Sequence, residues 1–356
     1  MTNVSIYKDI AARTGGDIYI GVVGPVRTGK STFIKQFMDK LVLPNISEEY
    51  QKERANDEIP QSSSGRTIMT TEPKFIPEKG VQINIDNSSA MNVRLIDCVG
   101  YIVPSALGYI EGDQPRMVMT PWFEEPIPFN MAAEIGTRKV INEHSTIGLV
   151  ITTDGSISDI PRSEYEEAEE RVIEELKGIN KPFIILLNCM YPESEESTAL
   201  AARLTEKYGV PVQPINCLEL DEEGIKKILS RILFEFPIKE ICINFPRWIN
   251  SLPLEHWLRT DLTETIKKSA ECMHHIRDIN CFETAFNDSK NVDGVSVESI
   301  DLGSGSATVM IKINNSLFYK VLAETTGLVI NDEQELMDSI KDLALTKKAY
   351  SKVKDA

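Results

Sequence analysis

The sequence predicts an α/β fold: a domain with a mostly parallel sheet and helices on both faces, followed by a smaller α+β domain. Three observations predict it. Short apolar runs recur at residues 17–23, 93–96, 146–152, 183–188 and 212–215, the pattern of strands buried on both faces. Helix-period segments alternate with these runs, which is the rhythm of βαβ units. Near Pro237 that alternation fades, and a different mixture of helix and strand patterns follows. A chain of 356 residues has room for about two domains, here expected at 1–237 and 238–356.

Taken in order, the run Asp17-Ile18-Tyr19-Ile20-Gly21-Val22-Val23 reads as a buried strand. A glycine-punctuated loop follows. A helix is then expected over about 30–43, with Phe33, Phe37 and Leu41 on one face. Glu72-Pro73-Lys74-Phe75 opens a further strand. Ser163 and Glu166 have capping-box spacing, and Tyr165, Ala168, Val172 and Leu176 mark the buried stripe of the helix they would start. Its other face is strongly acidic and reads as solvated. In the second domain, strands are expected at 238–244, 295–300 and 307–313, the last two around the turn Gly303-Ser304-Gly305. One long helix is expected over 254–279, carrying Leu258, Leu262, Ile266, Met273 and Ile276 on one face, with further helices at 317–325 and 333–350. This domain reads as having no chemistry of its own. Two stretches break the rhythm. Residues 44–72 are polar, and residues 101–131 are rich in proline and aromatics, including Trp122, Phe123 and Phe129. Loops of that length are usually functional, and both follow positions where a nucleotide switch would sit. The aromatics of the second loop are read as either a self-contact surface or pins to the loop's own core.

Bulk composition excludes some classes. There are 54 acidic and 38 basic residues, a net charge of −16. Such a chain repels nucleic-acid phosphates, so no nucleic-acid partner is expected. No run of 18 apolar residues is present, so no transmembrane segment is expected, and the first residues lack the apolar core of a secretory leader. The six cysteines form no CxxC pair and are expected to be reduced, buried thiols in a cytoplasmic protein. Cys272, His274, His275 and Cys281 lie close in sequence but match no common zinc spacing.

Chemistry concentrates at Gly24-Pro25-Val26-Arg27-Thr28-Gly29-Lys30-Ser31, which fits GxxxxGK[ST] between a predicted strand and a predicted helix. Gly24 and Gly29 let backbone approach phosphate closely. The N–H groups of the loop and the helix start at Thr32 favour an anion. Lys30 adds a point charge at the β- and γ-phosphates, and Ser31 offers a hydroxyl to Mg²⁺. Asp97-Cys98-Val99-Gly100 closes a predicted strand. Asp97 is placed to hold the metal's shell, and Gly100 to offer its N–H to the γ-phosphate. Between these motifs Thr70 and Thr71 are the candidates for a γ-phosphate sensor and metal ligand, with Thr67 nearby. Arg27 and Arg66 are candidates to stabilise transferring charge. Tyr101 follows Gly100 where many small GTPases have a water-orienting Gln. After the strand at 183–187 the chain reads Asn188-Cys189-Met190-Tyr191. The Lys and Asp of the guanine-reading pattern [NT]KxD are both absent, which removes most discrimination for guanine. ATP therefore becomes a plausible nucleotide, with Asn188 retained as a binding residue.

The segments GDIYIGVVGPVRTGKSTFIKQFM, SGRTIMTTEPKF, RLIDCVGY, TPWFEEPIPF, AAEIGTRKVI, EHSTIGLVITTDGSI and EEAEERVIEELK together resemble the stage IV sporulation protein A family. These are the spore-coat morphogenetic ATPases of endospore-forming Firmicutes. The resemblance runs along essentially the whole chain and is densest over 1–180. It implies a fold derived from translation-factor-class P-loop GTPases that has switched to ATP, and slow, Mg²⁺-dependent hydrolysis that drives self-assembly into the basement layer of the spore coat. It implies that Lys30 is needed for nucleotide binding, Asp97 for the metal, and Thr70 and Thr71 for hydrolysis. It places the protein in the mother-cell cytoplasm, peripheral at the forespore surface. Its implied partners are further copies of itself, other spore coat proteins and a small amphipathic membrane-anchor peptide. Members of that family continue beyond the equivalent of Ala356, so the last two partners are expected to dock on a region this chain does not include. Two other readings stay open on the residues alone: a nucleotide-binding scaffold without turnover, and a regulatory GTPase with relaxed base recognition.

Overall fold

The computed structural model describes residues 3–60, 73–86, 89–111, 114–179, 181–287 and 289–354. The described chain forms two compact units, Met1–Pro237 with Leu302–Gly305, and Ile238–Asp301 with Ser306–Ala356.

In chain order, the first unit contains α1 (Asn3–Thr14), β1 (Asp17–Val23), α2 (Lys30–Phe37), α3 (Glu49–Asp57), β2 (Lys74–Asp86) and β3 (Ser89–Asp97). Four two-residue strands follow: β4 (Ile110–Glu111), β5 (Gln114–Pro115), β6 (Met117–Val118) and β7 (Ile127–Pro128). Then come α4 (Phe129–Lys139), β8 (Ile147–Thr153), α5 (Glu166–Gly178), β9 (Phe183–Asn188), α6 (Glu195–Tyr208), β10 (Val212–Ile215) and α7 (Glu222–Phe234). Six strands form one sheet in the order β10-β9-β8-β1-β3-β2. The strands β1, β3, β8, β9 and β10 run parallel, and β2 is an antiparallel edge strand hairpinned to β3. The register pairs Val22 with Asp97 and Val23 with Val150, so the carboxyl ends of the central strands line up along one edge. Ligands bind at that edge in open α/β sheets.

The helices bury the apolar stripes that their period predicts. Val172, Ile173 and Leu176 of α5 and Leu204 and Tyr208 of α6 share a core cluster with Val150, Ile185 and Leu187 of the sheet. Burying each such side chain contributes roughly 1.5–3 kcal/mol. Phe33 and Phe37 of α2 are buried, and Leu41 is buried in the π-helical turn Met38–Val42 that continues it. The helix α5 does not start with the expected capping box. A short 3₁₀ turn, Arg162–Glu164, precedes it, and Tyr165 is its N-cap with no side-chain cap. Ser163 is taken up in that turn, whose first residue, Arg162, donates to Glu169.

The second unit contains β11 (Glu240–Asn244), α8 (Trp257–Glu271), α9 (Cys281–Ala285), β12 (Val292–Asp301), β13 (Ser306–Ile313), α10 (Asn315–Thr326) and α11 (Glu333–Lys354). Its sheet has the order β11-β13-β12, with β13 parallel to β11 and antiparallel to β12. Leu258 and Leu262 of α8, Phe282 of α9, Val309 and Ile311 of β13 and Val321 of α10 form its core. The single long helix expected over 254–279 is instead interrupted. The Asp278 carboxylate accepts from the backbone N–H groups of both His274 and His275. That side chain supplies the partners that the next helical turn would have used, and a 3₁₀ turn at Ile276–Asn280 leads into α9. Met273 and Ile276 are buried nonetheless.

Cys98, Cys189 and Cys217 are buried, whereas Cys242, Cys272 and Cys281 are exposed, contrary to the expectation of uniformly buried thiols. Among the described residues no group of His, Cys, Asp and Glu is arranged to hold a metal ion by itself. No helix among them is long and apolar enough to cross a membrane.

Candidate functional site

The loop from Gly24 to Ser31 leaves the carboxyl end of β1 and enters α2. Its backbone takes the conformations that the glycines permit. Gly24 and Gly29 have φ of 137° and 96°. A Cβ on Gly24 would lie 2.2 Å from the Ile151 carbonyl oxygen, and one on Gly29 would lie 2.3 Å from Asn188 Nδ2. Neither position admits a side chain. Arg27 adopts φ 66°, the one non-glycine residue with positive φ among those described, a conformation that costs of order 1 kcal/mol. Burial lowers the pKa of its guanidinium, against the pull of Tyr165.

Several side chains converge on this loop. Lys30 is buried, and its Nζ donates to the Pro25 carbonyl at 2.6 Å and to the Gly24 carbonyl at 3.4 Å. Burial lowers its pKa, against the opposing pull of Cys98 and Asp97. Thr28 Oγ1 also donates to the Pro25 carbonyl, at 3.0 Å. Val26 lies buried in the core beneath the loop. Thr32 sits in the first turn of α2.

Ser31 Oγ donates to Asp97 Oδ2 at 2.8 Å. The second carboxylate oxygen of Asp97, Oδ1, is buried and has no hydrogen-bond partner among the described residues. Burial raises the carboxyl pKa of Asp97, opposed by the Lys30 ammonium, the Ser31 hydroxyl and Lys74. An orphaned, desolvated carboxylate oxygen beside a hydroxyl is the donor set that a hard divalent cation such as Mg²⁺ takes. The residues present therefore fit that ion. The thiol of Cys98 donates to the Val22 carbonyl at 3.0 Å, and burial pushes its pKa up to about 11. It is a buried, inert thiol.

Gly100 has φ 90°, and a Cβ there would meet the Gly24 carbonyl oxygen at 2.3 Å and Lys30 Nζ at 2.6 Å. This close approach brings the end of β3 onto the phosphate loop. Two backbone bonds lock it: Tyr101 N–H donates to Gly24 O at 3.2 Å, and Val26 N–H to Tyr101 O at 2.9 Å. The Tyr101 side chain turns away into the core. Its hydroxyl donates to Glu175 of α5, and burial followed by that carboxylate raises its pKa. Arg171 lies over its ring at 5.2 Å.

Asn188 ends β9 and is buried. Its Nδ2 donates to the Thr28 carbonyl at 2.9 Å, and its Oδ1 accepts from the Cys217 N–H at 3.0 Å. Expected as a binding residue, it is placed as a brace that holds the phosphate loop to the ends of β9 and β10. Thr70, Thr71, Thr67 and Arg66 lie outside the described residues. The described chain resumes at Pro73, and Lys74 pairs with Asp97 in the β2–β3 register.

Sequence reading missed the network behind the site. Glu169 of α5 is fully buried and accepts from Arg162 Nη1 and Nη2 at 2.5 and 2.7 Å, from the Tyr208 hydroxyl at 2.8 Å, and from Thr152 Oγ1. Arg162 also donates to the Thr153 carbonyl at 3.1 Å. The end of β8 is thereby fixed. The 101–131 segment resolves into a Phe129-centred cluster with Val118, Ala132 and Ala133. Lys139 lies over Trp122 at 5.8 Å. Trp122 and Phe129 therefore pack on the unit's own helix, and Phe123 remains exposed.

A family model described as stage IV sporulation protein A, ATPase domain, matches residues 1–237, and the middle-domain model of the same family matches residues 238–356. The chain is 49% identical over 354 residues to the stage IV sporulation protein A of Clostridioides difficile (strain 630), covering 99% of this chain and 72% of that protein. It is 48% identical over 356 residues to the proteins of that name from Bacillus subtilis (strain 168) and Bacillus anthracis, covering 100% of this chain and 72% of each.

Proposed function

Because the chain belongs to the stage IV sporulation protein A family and carries its ATPase domain, we propose that it hydrolyses ATP slowly with Mg²⁺. We propose that this turnover drives self-assembly into the basement layer of the spore coat at the forespore surface. The observation that carries the catalytic part is the pair Ser31–Asp97 at 2.8 Å with Asp97 Oδ1 left unpartnered among the described residues. Bound there, Mg²⁺ would neutralise charge developing on the phosphates. Asp97, Ser31 and Thr71 are the residues proposed to hold it.

The chain's own groups do the rest. The residues from Gly24 to Thr32 present backbone N–H groups to an anion. Lys30, with two of its three protons on loop carbonyls, keeps one donor for a phosphate oxygen. Gly100, pressed against Gly24 and Lys30, offers its N–H beside the terminal phosphate. Thr70 and Thr71 are proposed to sense that phosphate and to be needed for hydrolysis. Self-contact, coat proteins and an amphipathic membrane-anchor peptide are proposed as partners, and the mother-cell side of the forespore as the location.

One observation favours a second reading, a nucleotide-binding scaffold without turnover. Tyr101 stands where a water-orienting Gln would serve, and its hydroxyl is held by Glu175. Phosphate release from Mg²⁺-ATP separates the two. The ATPase reading expects turnover in the wild type and none in the double variant Thr70→Ala, Thr71→Ala. Equal background rates in both would leave the scaffold.

A further inference from the structure

Six large apolar side chains stand exposed in the segment that follows Tyr101: Leu107, Ile110, Met117, Met119, Phe123 and Met131 are 42–57% exposed. Single exposed apolar residues are ordinary, but these fall within one short stretch. Ile110 pairs with Pro115, and along the extended run 115–119 side chains alternate between faces. Pro115, Met117 and Met119 are exposed, and Val118 between the last two is buried. With Phe129, Ala132 and Ala133, Val118 rests on Val99 and Ile102, the residues that flank Gly100 and Tyr101. The outward face is apolar and carries methionine, which adapts to partners. Its backing touches the chain that Gly100 presses against Gly24 and Lys30. The exposed charges described on this segment, Glu111, Glu124 and Glu125, are all acidic.

A surface of opposite charge lies on α11. From Ile340 to Val353 every residue of this helix is exposed, although most helical stability in proteins comes from packing. Ile340, Leu343 and Tyr350 recur at helical spacing on one stripe and are 51%, 54% and 66% exposed. Lys347 falls within that stripe and Lys348 beside it, and residues 343–353 carry three lysines and no Asp or Glu. Copies of a chain with net charge −16 repel one another. Contact between them is therefore favoured where an apolar basic surface meets an apolar acidic one.

We propose that α11 of one copy docks, through Ile340, Leu343 and Tyr350, on the face that Met117 and Met119 present on the next, with Lys347 and Lys348 opposite Glu124 and Glu125. The inference rests on the self-assembly reading and names its contact. The two surfaces differ and belong to different units, so the contact is heterologous. A pair joined this way keeps one free surface of each kind and adds further copies. Because the face sits on Val99 and Ile102, its shape is tied to the state of the phosphate site.

Light scattering and phosphate release, followed on the full chain with Mg²⁺-ATP, test this by charge exchange. One double variant is Glu124→Lys with Glu125→Lys, and the other is Lys347→Glu with Lys348→Glu. Each alone is expected to keep phosphate release and to lose the rise in scattering. Mixed in equal amounts, they offer a basic face to an acidic helix and an acidic face to a basic helix, and the rise is expected to return. Misfolded chains would not recover on mixing. Wild-type scattering in either variant alone overturns the contact, and so does a mixture as silent as its components. Unchanged assembly of the Lys347→Glu, Lys348→Glu variant, with lost sedimentation on phosphatidylglycerol vesicles, would reassign α11 to a lipid surface. If the wild type releases phosphate without a rise in scattering, the self-assembly reading falls and takes the contact with it, while the phosphate site stands.

Discussion

The Asn188 side chain donates from Nδ2 to the carbonyl oxygen of Thr28 at 2.9 Å, which ties the phosphate loop to the strand beside it. The same amide accepts from Cys217 N–H at 3.0 Å, so one buried side chain registers three loops. Asn188→Ala strands a buried acceptor and a buried donor. A loss of roughly 1–3 kcal/mol follows from leaving such groups unpaired. The denaturant midpoint is expected to fall, and ATP affinity with it.

Tyr101 is fixed by its backbone to Gly24 and Val26, while its hydroxyl bonds Glu175 on α5. Its hydroxyl therefore serves packing and not the attacking water. Tyr101→Phe is expected to cost roughly 0.5–1.5 kcal/mol of stability and to leave the rate of phosphate release per folded molecule unchanged. A large loss of rate at unchanged stability would place the hydroxyl in the reaction.

Glu169 is fully buried beneath the end of β8 and partners Arg162, Tyr208 and Thr152. Glu169→Ala leaves a largely buried guanidinium without its carboxylate. Removing one partner of such a pair costs roughly 3–5 kcal/mol, readable as a lower urea midpoint. Near-neutral stability would show that water replaces the carboxylate.

In the second unit, burial and Arg277 hold the His275 imidazole below its ordinary value of 6.5, against Asp278. The unfolded chain then takes up its proton at higher pH than the folded one. Stability conferred by the neutral ring is present above the unfolded value and is lost as pH falls from about 6.5 toward the lower folded value. Urea unfolding between about pH 7 and pH 5 should show this decline, and His275→Gln should flatten it.

Much of this was legible in the residues. The glycine-lysine-serine loop between strand and helix, the strand-end Asp97, and β9 and β10 follow from motif spacing and apolar runs. The broken helix at 272–275 was not legible, because its stop signal is a side chain, Asp278, that accepts from residues behind it. The length of β2 was hidden by Pro77 and Gly80, which interrupt its alternation. The buried Glu169 carried a signal that charge obscured. It lies four residues after Tyr165 and three before Val172, so its spacing places it on the apolar stripe, and only its acidity suggested solvent. The brace role of Asn188 needed coordinates, since sequence distinguishes neither a base contact from a backbone contact nor one loop from another.

The most direct test of the account is phosphate release with ATP and GTP side by side, on the wild type and Asp97→Ala, with light scattering followed in the same tube. The account predicts release with ATP alone, a rise in scattering that accompanies it, and neither signal in Asp97→Ala. Preferential turnover of GTP, or release from ATP that survives Asp97→Ala, would contradict it.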